Sequence, residues 1–297
     1  MSSLLEQLQA GKVLLGDGAM GTSLQNLGLE AGGCPEQWNI THSEQVQSVI
    51  AGYVAAGSDI VETNSFGGTR YKLEYFGLAD EVRRLNRAAA EIARNAAGQN
   101  CFVIGSVGPT GQFLAPLGTQ TEQDMYEAFR EQVVALAQGG ADAICIETMT
   151  ALEEARVALR AAKENTDLVT IVTFTFDKTA QGRYRTMMGV SPAQAAREMT
   201  ALDADIVGSN CGSGPEDMIP ICREMRDNTD RFIMIQSNAG LPILEDGKTV
   251  FKATPEDMAQ GVGPLIAGGA NIIGGCCGTT DAHIKAMREK LQTYKKL

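Results

Sequence analysis

Histidine is almost missing from this chain, whose 297 residues contain only His42 and His283. Any zinc site must therefore be dominated by sulfur ligands. Aromatic residues make up 5% and tryptophan occurs once, as Trp38, which is poor material for an aromatic cage around a quaternary ammonium group. No run of about 18 apolar residues occurs, so no transmembrane helix is expected. The opening Met1-Ser2-Ser3-Leu4-Leu5-Glu6 lacks the basic stretch, apolar segment and small-residue cleavage site of a secretory signal, so a cytoplasmic, soluble protein is expected. Positive charge is also scarce: 25 Lys and Arg against 36 Asp and Glu give a net charge of −11. Without clustered cations to neutralise phosphates, the composition argues against a nucleic-acid partner.

What is present is the material of an α/β enzyme: 44% hydrophobic residues, 33 glycines, and short β-branched runs that alternate with helix-length segments. Eight such runs are expected as strands: 13–16, 59–63, 102–106, 143–147, 169–175, 205–209, 232–237 and 271–274. Several follow the same small-residue turn, at Gly57-Ser58-Asp59, Gly140-Ala141-Asp142, Ala204-Asp205 and Gly269-Ala270-Asn271, where Gly ends the preceding helix in a left-handed cap. The repetition, with no linker or charge block between units, predicts one domain over 1–297. Its fold class would be α/β, a (β/α)8 TIM barrel with its core at about 13–290 and its active site at the C-terminal ends of the strands. An open doubly wound sheet would share the pattern. A lead-in helix over 2–11 and a last crossover helix over 281–297 with a basic tail complete the expected elements.

In such a barrel the chemistry belongs to the loops at the carboxyl ends of the strands, and the unusual residues fall there. They are Asp17-Gly18-Ala19-Met20-Gly21, Glu62-Thr63-Asn64-Ser65-Phe66, Ser106 to Gly111, Glu147-Thr148, Asn210-Cys211, Asn238-Ala239-Gly240 and Gly274 to Thr280. Seven cysteines, an odd number without a secretory signal, point to metal or nucleophile roles rather than disulfides. Cys276 and Cys277 are adjacent and flanked by glycines that permit an unusual backbone. Cys211 also ends a strand on that face, in a Gly-rich turn. Three thiolates with one open position form the pattern of a catalytic zinc site; a vicinal redox pair or buried thiols is the alternative for Cys276 and Cys277. Cys101, Cys145 and Cys222 read as packing residues, and Cys34 is uninterpreted.

Asp17 and Glu147 end apolar strands, where an unpaired carboxylate is costly to bury. Either Lys or Arg pairs with them, or they receive the ammonium group of an amino-acid substrate while amides at Gly18 and Ala19 receive its carboxylate. Glu62 could instead face the outer helices.

Asp17-Gly18-Ala19-Met20-Gly21-Thr22, Asp59 to Phe66, Gly208-Ser209-Asn210-Cys211 and Gly274-Gly275-Cys276-Cys277-Gly278-Thr279-Thr280 resemble the homocysteine S-methyltransferase family, from about Val13 to His283. The likeness extends to the homocysteine-binding domain of cobalamin-dependent methionine synthases through Cys34-Pro35-Glu36, Gly108-Pro109-Thr110-Gly111 and Asn238 to Pro242. The resemblance implies zinc on Cys211, Cys276 and Cys277, with homocysteine entering as fourth ligand through its sulfur. It also implies Asn238 as a displaceable resting ligand, Asp17, Gly18, Ala19 and Glu147 around the amino-acid end, and the Gly275 carbonyl as a further acceptor. The chain carries no Asp-x-His-x-x-Gly corrinoid motif. The implied donor is thus a separate methyl-corrinoid (methylcobalamin) protein, with a small S-methylmethionine- or betaine-type donor as the alternative. A non-enzymatic zinc or thiol-sensing barrel would need a closed coordination sphere and no amino-acid pocket. An aldolase-like barrel would need a Schiff-base Lys at a strand end, and none is seen.

Overall fold

The computed structural model describes residues 3–245 and 248–294. Ser2 of the lead-in helix and the basic tail at 295–297 lie outside the described residues. Eight strands form one parallel sheet: β1 Leu14–Leu15, β2 Ile60–Glu62, β3 Phe102–Val107, β4 Ala143–Met149, β5 Val169–Phe174, β6 Ile206–Asn210, β7 Phe232–Ser237 and β8 Ile272–Gly275. Ladders join them in the order β1-β8-β7-β6-β5-β4-β3-β2. The last seam, between β1 and β2, is bridged by Asp59 N–H donating to Leu15 O at 2.7 Å and by Glu62 N–H donating to Asp17 Oδ2 at 2.8 Å. Helices surround this nearly closed ring as a (β/α)8 barrel. Among the described residues no helix is long and apolar enough to cross a membrane.

The repeated small-residue turns have a structural purpose beyond ending helices. The residue opening each even strand accepts a hydrogen bond from an N–H of the odd strand beside it: Asp59 from Leu15, Asp142 from Val103, Asp205 from Thr170 and Asn271 from Ile233. Donors at the strand starts that would otherwise lack partners are thereby satisfied. Gly57, Gly140 and Gly269 take positive φ (104°, 98° and 104°), and Asp203 does the same at 60° where no glycine is present.

Side chains alternate along each strand, and the inward set makes the barrel core. Leu14, Ile60, Phe102, Ile104, Ala143, Cys145, Ile171, Ile206, Met234 and Ile272 are packed together there, and Leu4 and Leu8 of the N-terminal helix Leu4–Gln9 join them as a plug. That short helix is held by Ser3, whose hydroxyl caps Glu6 N–H while Glu6 returns the bond, a reciprocal capping box. A larger apolar layer fills the space between the strands and the outer helices. Toward the carboxyl ends the inward set turns polar: Glu62, Ser106, Glu147, Thr173 and Gln236 lie two residues further on, and Asn210 follows Ile206 by four. Gly16 and Gly274 leave space there, since a Cβ on Gly274 would stand 3.1 Å from Gln236 Cγ.

Candidate active site

The polar layer floors a cavity of about 370 Å³ whose lining includes Gly18, Glu62, Glu147, Gln236, Gly275 and the three cysteines Cys211, Cys276 and Cys277. The cysteines form one wall. Cys211 follows β6, and its N–H donates to Gln236 O on β7 at 3.1 Å; Cys276 follows β8, and its N–H donates to Ser237 O at 2.8 Å. Cys211 holds a left-handed φ of 62°, a conformation that a non-glycine residue keeps only when its surroundings impose it. The three Sγ atoms lie within 4.8 Å of one another, with Cys211 and Cys277 3.8 Å apart. All three are free thiols, half-buried, and in reach of one ion.

The sulfurs also interact with one another. Hydrogen bonds from Cys276 and Cys277 push the Cys211 thiol down to about 3, while the same contacts push Cys276 up and Cys277 up to about 12. Asn238 also reaches Cys211 with its side chain, yet its Oδ1 is buried without a hydrogen-bond partner among the described residues.

The cavity is also acidic. Ser106 Oγ donates to Glu147 Oε1 in a short bond, and Asn210 Nδ2 donates to Glu147 Oε2 at 2.8 Å. Gln236 Nε2 donates to Glu62 Oε1 at 3.1 Å. Burial pushes Asp17 and Glu147 up to about 7 and Glu62 well above the usual carboxylate range. No Lys, Arg or His neutralises them, so the ion-pair alternative for Asp17 and Glu147 does not hold among the described residues. Asp17 Oδ1 and Gln236 Oε1 are buried without hydrogen-bond partners there. An unpaired buried acceptor costs about 1–3 kcal/mol, so the pocket presents a surplus of acceptors.

Gly18 and Gly275 make the close approach around Thr279. A Cβ at Gly18 would stand 2.8 Å from both Thr279 Oγ1 and Tyr53 Cε1. Thr279 Oγ1 accepts from Ala19 N–H at 3.1 Å and donates to Cys276 O at 2.7 Å, which ties the loop after β1 to the cysteine loop.

The matched family model covers residues 14–291 and describes homocysteine S-methyltransferase. The chain belongs to the homocysteine S-methyltransferase family, and so to a family of methyltransferase enzymes. The methionine synthase of Mycobacterium leprae is 32% identical over 300 residues, covering 96% of this chain and 24% of that protein. That of Mycobacterium tuberculosis is 31% identical over 301 residues, with 96% and 25% covered. The chain therefore spans about a quarter of the length of these relatives. The metallated form of the homocysteine methyltransferase MmuM from Escherichia coli superposes with a TM-score of 0.81 at 23% identity, covering 97% of this chain and 99% of that one. This likeness shows the shared barrel.

The structure brings together on one cavity Cys211, Cys276, Cys277, Gly18, Ala19, Glu147 and Gly275, which the sequence singled out, and it buries Asp17 and Asn238 as well. Of the two amides expected to face a carboxylate, that of Ala19 is already engaged by Thr279. Glu62 faces the cavity rather than the outer helices. Cys145 and Cys222 are fully buried, as packing residues should be. Cys34 donates to the buried Glu36 at 3.4 Å. Trp38 stacks on His42 with ring centroids 4.3 Å apart, and of the two aromatics Phe66 alone lines the cavity. Ser106, Asn210 and Gln236 received no role from the sequence, although the alternation along β3, β6 and β7 points each of them inward.

Proposed function

We propose that this chain moves a methyl group to the thiol of homocysteine, giving methionine. Zinc would be held by Cys211, Cys276 and Cys277, and the methyl would come from a methyl-corrinoid (methylcobalamin) protein. The observation that carries this reading is one cavity lined by three sulfurs with unpaired buried carboxylate and amide oxygens on it and beside it. These two groups match a thiol and an ammonium group on one small molecule. The donor set fits the metal: three sulfurs within 4.8 Å, and an orphaned Asn238 Oδ1 as a displaceable fourth ligand. Bound there, zinc supplies a Lewis acid that keeps the substrate sulfur deprotonated at neutral pH.

The chain's own residues bind and orient. Asp17 Oδ1 and Glu147 receive the ammonium group, with the Gly275 carbonyl as a further acceptor. The Gly18 amide, and that of Ala19 by exchange with Thr279, receives the carboxylate. The substrate sulfur then attacks the donor methyl in line: a sulfur–carbon bond forms, the donor–methyl bond breaks with its electron pair left on the donor, and a neutral thioether departs.

A protein-borne donor is supported by exposed apolar side chains at the end of the barrel where the cavity lies. Phe66 lines the cavity, and Phe113, Leu117, Met187, Leu241 and Leu244 are also exposed in the connections that follow β3, β5 and β7, at the same end of the barrel. Apolar side chains gathered on one face mark an interaction surface. Offered homocysteine with each donor in turn, the protein is expected to take methyl from free methylcobalamin, faster from a corrinoid protein, and little from betaine. Rapid, saturable turnover with S-methylmethionine and none with any methylcobalamin species would overturn the donor and leave the thiol chemistry standing.

A further inference from the structure

Of the two histidines, His283 lies behind the cysteine loop with both ring nitrogens in use. It belongs to the first turn of the last helix, Asp281–Tyr294, and is buried. Thr280 N–H donates to its Nδ1 at 3.1 Å, and Thr280 Oγ1 lies 2.9 Å from the same atom. Its Nε2 stands 3.0 Å from Ala253 O. A backbone amide can only donate and a carbonyl can only accept, so Nδ1 is the bare nitrogen and Nε2 carries the proton. The ring is thus a neutral imidazole of fixed tautomer, with neither nitrogen left over to bind a metal.

These two bonds close a circuit around the metal loops. Ala253 N–H donates to Ala239 O at 3.0 Å, and Ala239 N–H donates to Cys277 O at 3.0 Å. From Cys277 the chain runs three residues to Thr280, and so back to the ring. The connection after β7 is thereby fastened to the connection after β8 twice, once through Cys277 O and again through His283. On its other side, Asn238 N–H donates to Ser213 O at 3.0 Å, and Ser213 N–H donates to Cys211 O at 2.8 Å. Asn238 and Ala239 therefore link the Cys211 turn to Cys277. Packing adds to the hold. Gly278 takes a φ of 80°, and a Cβ there would collide with the Phe251 ring, so the segment that brings Ala253 to His283 also presses on the cysteine loop.

We propose that His283 is a positioning residue for the metal site: its Nε2–H imidazole clamps the loop of Cys277 to the loop of Asn238. A permanent ligand is thereby fixed relative to a displaceable one. The inference rests on reading Cys211, Cys276 and Cys277 as zinc ligands. Imidazole suits this duty because its donor and its acceptor lie in one rigid plane, so the two loops cannot shift independently while both bonds hold. With the Asn238 backbone held on both sides, displacement of that ligand needs only its side chain to turn.

The test compares the full chain with His283→Asn, His283→Gln and His283→Phe, and with Met287→Ala, which trims a buried side chain one turn further along the same helix. Asparagine places its oxygen near the position of Nδ1 and keeps the Thr280 bond. Glutamine reaches the position of Nε2 and keeps the Ala253 bond, whereas phenylalanine keeps a ring and loses both. Read by competition with a chromogenic chelator, zinc affinity should fall about three- to fivefold in H283N and in H283Q, for one hydrogen bond each, and about tenfold or more in H283F. M287A should lose thermal stability yet hold zinc within about twofold of the parent. Cobalt(II) loaded in place of zinc should shift its thiolate charge-transfer bands in the three His283 variants and not in M287A. Nitrogen-15 spectra of the zinc-free parent should show His283 with a bare Nδ1 and a protonated Nε2, the exposed His42 giving the only other histidine signal.

A protonated Nδ1 would break the circuit and overturn the proposal. So would parent-like zinc affinity in H283F, or a loss in M287A as large as in H283F, since His283 would then be ordinary packing. If H283F does not fold, H283N and H283Q still decide, because parent-like affinity in both would remove the clamp. If the parent bound neither zinc nor cobalt, the reading of the cysteines would fail and the metal role of His283 with it; a metal-binding parent with unaffected His283 variants would sink the clamp alone.

Discussion

Cys211→Ser, Cys276→Ser and Cys277→Ser are each expected to abolish stable zinc binding and to reduce methyl transfer by more than about a hundredfold, since outer partners of metal ligands alone are worth 10–100-fold. The barrel should remain folded in all three, because these cysteines are half-buried in loops above a core that packs without them. Metal analysis, circular dichroism and transfer assays on the same preparations separate the two effects. Cys145→Ser and Cys222→Ser are the contrasting pair. They should keep zinc and activity while losing at most about 1–3 kcal/mol of stability for burying a hydroxyl. Native zinc content and activity in any one of the first three variants would remove that residue from the site.

Glu147→Gln and Asp17→Asn are expected to weaken homocysteine binding by about 1–3 kcal/mol each, the scale for a buried group left without its partner, at unchanged zinc content. Asparagine at 17 retains an oxygen to accept the Glu62 N–H, so the β1–β2 seam survives and the loss reports on the ligand. Acid should have a related effect. Burial raises both carboxyls to about 7, so in the empty pocket they protonate as pH falls through that value, and ammonium binding should weaken from about pH 8 to about pH 6. Stability runs the other way. The folded pKa values exceed the unfolded ones, near 4, so the native state binds more protons across that window. The unliganded protein should therefore lose stability as pH rises from about 4 to about 7. Melting temperatures across that range, with and without homocysteine, check the sign. Normal homocysteine binding in both variants would refute the pocket assignment.

Much of this arrangement is legible in the sequence because it is written in local patterns. The strand at 232–237 appears with the boundaries read for it, and the Cys276-Cys277 pair is marked by its glycines. The first strand is shorter than read, Leu14–Leu15 rather than 13–16, because its seam with β2 is made by single bonds through Asp59 and Asp17 instead of a ladder. Residues whose meaning depends on a distant partner were harder to see. Glu62 acquires a direction only once the barrel brings Gln236, 174 positions along the chain, to donate to its carboxyl. Gln236 looks like an ordinary polar residue in an apolar strand until the glycines at 16 and 274 open the space that it fills. Ala19 shows the converse: the motif marks its amide as exposed, but Thr279, far along the chain, has already taken it.

The three cysteines do not arrive together. Cys211 follows β6, whereas Cys276 and Cys277 follow β8, the strand that pairs with both β7 and β1. During synthesis the chain emerges from its N-terminus, so a growing polypeptide has only Cys211 of the three until the strand that joins the two ends of the sheet has been made. An incomplete barrel offers an ion one ligand of the three, too few to hold it against the cell's competing thiols. If the three cysteines hold zinc as proposed, ion capture would be reserved for finished molecules, and a chain halted before Ile272 would leave the metal supply untouched.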